Sequence, residues 1–251
     1  MATSPQRIVI IGATSAIAEH CARLWVQQGP CELVLVGRDA ERSGRIAADL
    51  RVRSAQASVA VRTLAFDDAR AIAALAADLA AGGRLDTVLI AHGSLPDQAQ
   101  CQQDLLANAE ALAVNGVSPV LFAEAFAAQM AQADHGTLVI IGSVAGDRGR
   151  RSNYVYGAAK GLVTRYAQGL QHRFAGSRVK VVLVKPGPTD TPMTAHLKQQ
   201  GAKLAPVQAV AQQIVKAAAA GTAVVYAPGK WAVIMMIVRH LPAFVFNKIN
   251  I

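Results

Sequence analysis

Acidic residues run out early in this sequence. After Asp190 there are none, while Lys198, Lys203, Lys216, Lys230, Arg239 and Lys248 remain, so six of the net +9 charges fall in the last 61 residues. Such a basic end could meet nucleic acid, an anionic membrane or a phosphorylated substrate. No helix-turn-helix, zinc-finger or RNA-binding aromatic pattern accompanies it, which sets nucleic acid aside as a partner. Cysteine is also scarce: Cys21, Cys31 and Cys101 are scattered, odd in number and without CxxC or histidine spacing, which excludes a disulfide framework and a zinc site. A spanning run is missing from the tail too. The stretch from Trp231 to Val238 is too short to span a bilayer, and Arg239, His240 and Pro242 interrupt its continuation. The opening MATSPQRIVIIGA lacks the charged, apolar and small-residue sequence of a secretory leader, pointing to a cytoplasmic enzyme.

What is abundant is small and apolar. Hydrophobic residues make up 53% and charged ones 16%, which excludes a disordered chain. The runs RIVIIG, ELVLVG, SVAVRTLAF, DTVLIAHG, GTLVIIGS, RVKVVLVKPG and AVVYAP read as seven strands, apolar throughout as strands covered on both faces should be. Alanine-rich helices alternate with them over about 15–28, 40–53, 69–81, 101–131 with a break, 154–174 and 206–219. The rhythm is that of βαβ units. We expect an α/β fold: one doubly wound, Rossmann-type domain over 1–251, with a seven-stranded parallel sheet and helices on both faces. An apolar, basic tail occupies about 229–251.

The first strand runs into Gly12-Ala13-Thr14-Ser15-Ala16-Ile17-Ala18 at the start of a helix. Small residues there let backbone N–H groups reach a pyrophosphate, and the Thr14 and Ser15 hydroxyls could add contacts. Alanines at 16 and 18 restrict the backbone where glycine would leave it free. At the end of the second strand stands Arg38, where a carboxylate would hold both ribose hydroxyls. A guanidinium does the opposite and favours a 2′-phosphate, so NADP(H) is preferred over NAD(H). Asp39 and Asp68 read as caps of the following helices. His92 reads as packed beside the cofactor or as touching substrate.

Gly142-Ser143 ends the fifth strand, and Tyr156 and Lys160 follow at i and i+4 of a helix, on one face. A phenol with its ordinary pKa near ~10 is a poor acid/base at neutral pH, and a nearby ammonium lowers that pKa. Tyr156 is then the general acid in carbonyl reduction, Lys160 tunes it and binds the nicotinamide ribose, and Ser143 polarises the carbonyl oxygen. Tyr154 has no such partner, since Ala158 lies four residues on.

These residues resemble the short-chain dehydrogenase/reductase family over roughly residues 7–227. The turn at Gly12, Ala16 and Ala18 is similar to that family's GxxxGxG, with alanine for the second and third glycines. The resemblance implies cofactor contacts from Gly12, Thr14, Ser15, Ala16, Ile17, Arg38, Ala91, Gly93, Tyr156 and Lys160. It gives Asp67 the adenine amino group, and Asn115 a backbone kink with a proton-relaying water. Pro186-Gly187-Pro188-Thr189-Asp190-Thr191 resembles the PGxxxT loop, in which Pro186, Gly187, Thr189 and Thr191 hold carboxamide and pyrophosphate. Ala91 stands where the family commonly has asparagine. No metal is implied. A homodimer or homotetramer is expected.

MTAHLKQQGAKLAP reads as a mobile substrate lid. The tail has two readings: an interfacial segment, with Trp231, Phe244 and Phe246 at headgroup depth and Lys230, Arg239 and Lys248 on lipid phosphate, or a subunit interface. Its pattern also resembles reductases of decaprenylphosphoryl-2-keto-pentose. That suggests a polyprenyl-phosphate-linked keto-sugar as substrate and a cytoplasmic enzyme peripheral to the inner face of a membrane. A 3-oxoacyl or small-ketone reductase is the alternative, and a non-catalytic dinucleotide-binding scaffold is another.

Overall fold

The computed structural model describes residues 5–249; the first four and last two residues of the expected domain lie outside them. Seven strands, β1 Gln6–Ile11, β2 Cys31–Gly37, β3 Ala57–Thr63, β4 Thr87–Ile90, β5 Gly136–Ile141, β6 Val179–Pro186 and β7 Val224–Ala227, form one sheet in the order β3-β2-β1-β4-β5-β6-β7. Every pairing is parallel. β1 and β4 are fully or nearly fully buried over Ile8–Ile11 and Val88–Ile90, as their unbroken apolar runs require. The chain leaves β1 toward β2 and later returns to β4 on the other side. The C-terminal ends of β1 and β4 therefore diverge into a crevice, where such sheets bind ligands.

Helices cover both faces. α1 Ala16–Gln28, α2 Ala40–Arg53 and a later helix over Val207–Ala220 pack on one face; α3 Ala69–Ala81 and the helices Ser118–Ala133 and Tyr154–Arg173 pack on the other. The expected break in the helix over 101–131 is double. α4 Gln98–Gln103 stops at Asp104, whose carboxylate caps α5 Leu105–Leu112, and a π turn over Ala113–Val117 separates α5 from α6 Ser118–Ala133. The continuous stretch Leu105–Ala133 is long and apolar enough to cross a membrane, but half of its most apolar window is buried in the fold. Phe122, Ala123, Phe126 and Ala127 are fully buried in its core-facing stripe.

α7 Tyr154–Arg173 follows the loop after β5. Beyond β6, the segment read as a lid holds a 3-10 turn over Pro192–Thr194 and α8 Ala195–Gln199, and the chain returns beside Thr189 through a bridge at Ala205. α9 Val207–Ala220 ends at Gly221, and the tail folds as α10 Lys230–His240 and α11 Ala243–Phe246.

Candidate active site

A cleft of about 900 Å³ opens at the divergence of β1 and β4. Gly12, Thr14, Ser15, Ala16 and Ile17 line it on one side, and Arg38, Asp67, Gly93 and Thr191 complete the part that the sequence singled out. Gly12 has φ +82°, and a Cβ there would meet the His92 backbone at 2.6 Å, so only glycine fits. Ala16 and Ala18 belong to α1 itself, and no non-glycine residue of this turn has a positive φ. The two alanines therefore cost no backbone strain, because neither position needs the φ > 0 conformation that a methyl group excludes. Ser15 stands at the N-cap of α1 with its side chain making no capping bond. The start of α1 and Ser15 thus line the same part of the crevice, a fit to phosphate oxygens.

Arg38 is exposed at the end of β2, and Asp39 turns its carboxylate back onto the Arg42 N–H at 2.9 Å to cap α2. Arg42 is a cleft residue that sequence reasoning missed. It lies one turn along from Arg38, and its guanidinium donates to the Thr14 carbonyl at 3.1 Å, bringing a second cation to the adenosine end. Asp67 lines the cleft while Asp68 caps α3 through the N–H groups of Arg70 and Ala71. Ala91 is placed differently from Gly93: it is buried in the core and its N–H donates to the Ile11 carbonyl.

His92 is fixed from below. Its Nε2 is 2.9 Å from Ser118 Oγ, which donates to the Phe66 carbonyl at 2.6 Å, so His92 Nε2 carries the proton. The ring sits edge-on to Phe66 and Phe122. Burial, reinforced by the charges of Lys160 and Arg38, pushes its pKa down to about 3, so it is neutral at physiological pH.

The catalytic candidates converge behind Gly93. A Cβ on Gly93 would lie 2.9 Å from Asn115 Oδ1 and 3.6 Å from Lys160 Nζ. Asn115, wholly buried in the π turn, accepts from the Ser94 N–H at 2.8 Å and donates to the Ala111 carbonyl at 2.9 Å. Ser143 follows β5 as the N-cap of a 3-10 turn over Val144–Asp147; its hydroxyl accepts from the Ala145 N–H at 3.1 Å and is close enough to the phenol of Tyr156, in the first turn of α7, to lower its pKa. Lys160, one turn on, is buried and donates to the Ile141 carbonyl at 3.1 Å, with its Nζ 5.8 Å from the Tyr156 ring centroid.

The expected depression of the Tyr156 pKa by Lys160 is not what this arrangement gives. Burial raises the Tyr156 pKa, and only the Ser143 hydrogen bond works against it. Lys160 itself is pushed down to about 8 by burial. Desolvation disfavours phenolate and ammonium alike, and it is the largest cause at both groups.

The loop after β6 divides its roles. Pro186 and Thr189 are buried, and the Thr189 hydroxyl donates to the Gly187 carbonyl at 2.9 Å. Gly187 is covered by Trp231 of α10: a Cβ there would lie 2.0 Å from the indole Nε1. Trp231 and Phe246 are half-buried, so of the tail's three aromatics proposed for headgroup depth only Phe244 is turned to solvent. Phe246 lies under the Arg148 guanidinium, 3.7 Å from its ring centroid.

Sequence reasoning also missed a buried ion pair. Lys185 at the end of β6 pairs with Asp147, whose second oxygen accepts from the Tyr226 hydroxyl at 2.7 Å. A lysine inside the apolar run VKVVLVKPG is the signal that could have revealed it.

The family model described as short chain dehydrogenase matches residues 6–202. An uncharacterized oxidoreductase of Mycobacterium tuberculosis is 34% identical over 251 residues, covering 98% of each chain. One from Streptomyces coelicolor is 30% identical, covering 98% of this chain and 96% of its own. The chain therefore belongs to the short-chain dehydrogenases, and it is an NAD(P)-dependent oxidoreductase of that family. Two solved structures share the fold. A short-chain dehydrogenase from Sphingobium yanoikuyae in complex with NADPH superposes with TM-score 0.81 at 23% identity, covering 98% of this chain and 96% of its own. A 3-oxoacyl-[acyl-carrier protein] reductase from Brucella melitensis in complex with NAD gives 0.80 at 20%, covering 92% and 99%.

Proposed function

We propose that this protein is an NADP(H)-dependent reductase that converts a carbonyl to a secondary alcohol, with a polyprenyl-phosphate-linked keto-sugar as its substrate class. The observation that carries the cofactor choice is the pair Arg38 and Arg42 lining the cleft beyond β2, where an NAD-selective site would hold a carboxylate. The cofactor, when bound, supplies the hydride. The chain's own groups handle the oxygen and the proton. Ser143 hydrogen-bonds the carbonyl oxygen and Tyr156 gives it the phenolic proton as negative charge develops. Burial suits Tyr156 to this direction, because it keeps the phenol protonated until reaction. Lys160, still mostly an ammonium at neutral pH, supports the proton transfer from one turn away. Asn115 holds the strand-end segment at Ser94 against the π turn, beside Lys160.

Two features support the remaining parts of the reading. The exposed Leu105, Leu106, Leu112, Val117 and Leu162 form apolar surface on α5, the π turn and α7, suited to a second copy in a homodimer or homotetramer. The basic tail suits an enzyme of the cytoplasm that works peripherally at the inner membrane face.

Fluorescence titration with NADPH and NADH, followed by NADPH oxidation over a carbonyl panel including a polyprenyl-phosphate keto-pentose, tests the proposal. NADPH should bind more tightly, and Arg38→Asp should reverse the order. Equal affinity would refute the cofactor choice. Turnover of 3-oxoacyl thioesters or small ketones alone would move the substrate class to those compounds.

A further inference from the structure

The outer face of α10–α11 carries Val233, Met236, Ile237 and Phe244 at 58%, 51%, 55% and 70% exposure, while on α10 only Met235 is buried. This face is not a frayed end. The Arg148 guanidinium donates to the carbonyls of Val238 and Leu241 at 2.6 Å each, closing the C-terminal end of α10, and stacks on Phe246 of α11. At the other end of α10, Trp231 sits on Gly187. The tail is thus a clamped pad whose inner side rests on the loop after β6 and whose outer side is apolar.

Lys230, Arg239, His240 and Lys248 of the same segment are exposed, and Arg239 also lies near enough to the Tyr226 phenol to act on it. No acidic residue follows Asp190, and Asp190 itself is paired with Lys198. Among the acidic residues before it, Asp147 is buried against Lys185. The charge pattern bears on what can cover the pad. A second copy docking face to face would bring cationic rim against cationic rim, because a two-fold interface presents the same patch from both sides. An anionic lipid surface supplies both things the pad lacks: apolar depth for the exposed side chains and negative headgroups for the rim. At about 1.5 Å per residue the eleven-residue α10 reaches only ~16 Å, so it lies along a bilayer and does not cross it.

We propose that the outer face of α10–α11 is a docking surface for an anionic lipid bilayer, with Val233, Met236, Ile237 and Phe244 entering the headgroup boundary and Lys230, Arg239 and Lys248 on lipid phosphates. Docking brings the loop around Gly187, on which Trp231 sits, to the membrane. The proposal rests on the reductase reading only in making the bilayer the source of substrate.

Flotation of the full chain with vesicles of equal parts phosphatidylglycerol and phosphatidylcholine, and with phosphatidylcholine alone, tests it. The chain should rise with the anionic vesicles, less so at raised salt. Each of Lys230→Gln, Arg239→Gln and Lys248→Gln should weaken partition about fivefold. Combined Val233→Ser, Met236→Ser, Ile237→Ser and Phe244→Ser should abolish it. NADPH titration of each variant checks folding, since none of these residues belongs to the cofactor cleft. No flotation with anionic vesicles, or equal flotation with phosphatidylcholine alone, overturns the proposal. So does a soluble dimer, seen by sedimentation, that the serine variant dissociates. Flotation without NADPH binding by the parent chain would leave the docking surface standing and the cofactor reading refuted.

Discussion

The indole of Trp231 lies across Gly187, so close that a methyl group at position 187 would overlap Nε1. The tail helix and the loop after β6 therefore fit as a lock in which one side has been reduced to backbone. Gly187→Ala should destabilise the fold by about 1–3 kcal/mol through overpacking. Trp231→Ala should be destabilising alone yet relieve part of the Gly187→Ala cost in the double variant. Urea unfolding of the four proteins measures the coupling, and strict additivity would contradict the contact.

Asp147, the last residue of the 3-10 turn that Ser143 caps, forms a buried pair with Lys185 that Tyr226 joins. Removing one charge strands the other. Asp147→Ala should cost about 3–5 kcal/mol, and Asp147→Ala with Lys185→Met should recover much of it. Thermal melts of the single and double variants decide this: a double variant no more stable than Asp147→Ala would contradict it.

Lys160 carries a pH signature. Its folded pKa lies at about 8, below the ordinary 10.5, so between these values the unfolded chain binds a proton that the native state has released. Stability contributed by this group therefore rises with pH through that window, and its penalty is fully present below it. Tyr156 acts oppositely above its ordinary 10.0, because the native state keeps a proton that the unfolded chain loses. Urea unfolding from about pH 7.5 to 9.5 should show this rise, and Lys160→Met should flatten it. Over the same range, reduction should slow as Lys160 loses its charge.

Most of the fold was legible because its signals are local. Seven apolar runs became the seven strands, and Asp39 and Asp68 capped the helices that they precede. The spacing of Tyr156 and Lys160 placed both on one helix face, but it did not reveal the electrostatics. Burial, a property of the assembled core, governs both pKa values. Long-range pairings were the least legible. Arg42 reaches Thr14, Asp147 reaches Lys185 and Arg148 reaches the tail carbonyls across separations of 28, 38 and 90 or more residues. Nor does the apolar tail announce which of its aromatics turn inward. That follows from the gap at Gly187 and the guanidinium of Arg148.

Steady-state NADPH oxidation by Tyr156→Phe, beside NADPH affinity of the same variant, tests the central claim most directly. The phenylalanine keeps the ring and removes the proton donor. A carbonyl substrate turned over by the parent enzyme should be reduced about 10²–10⁴-fold more slowly, with NADPH binding little changed. Undiminished oxidation by the variant would contradict the assignment of Tyr156 as the acid.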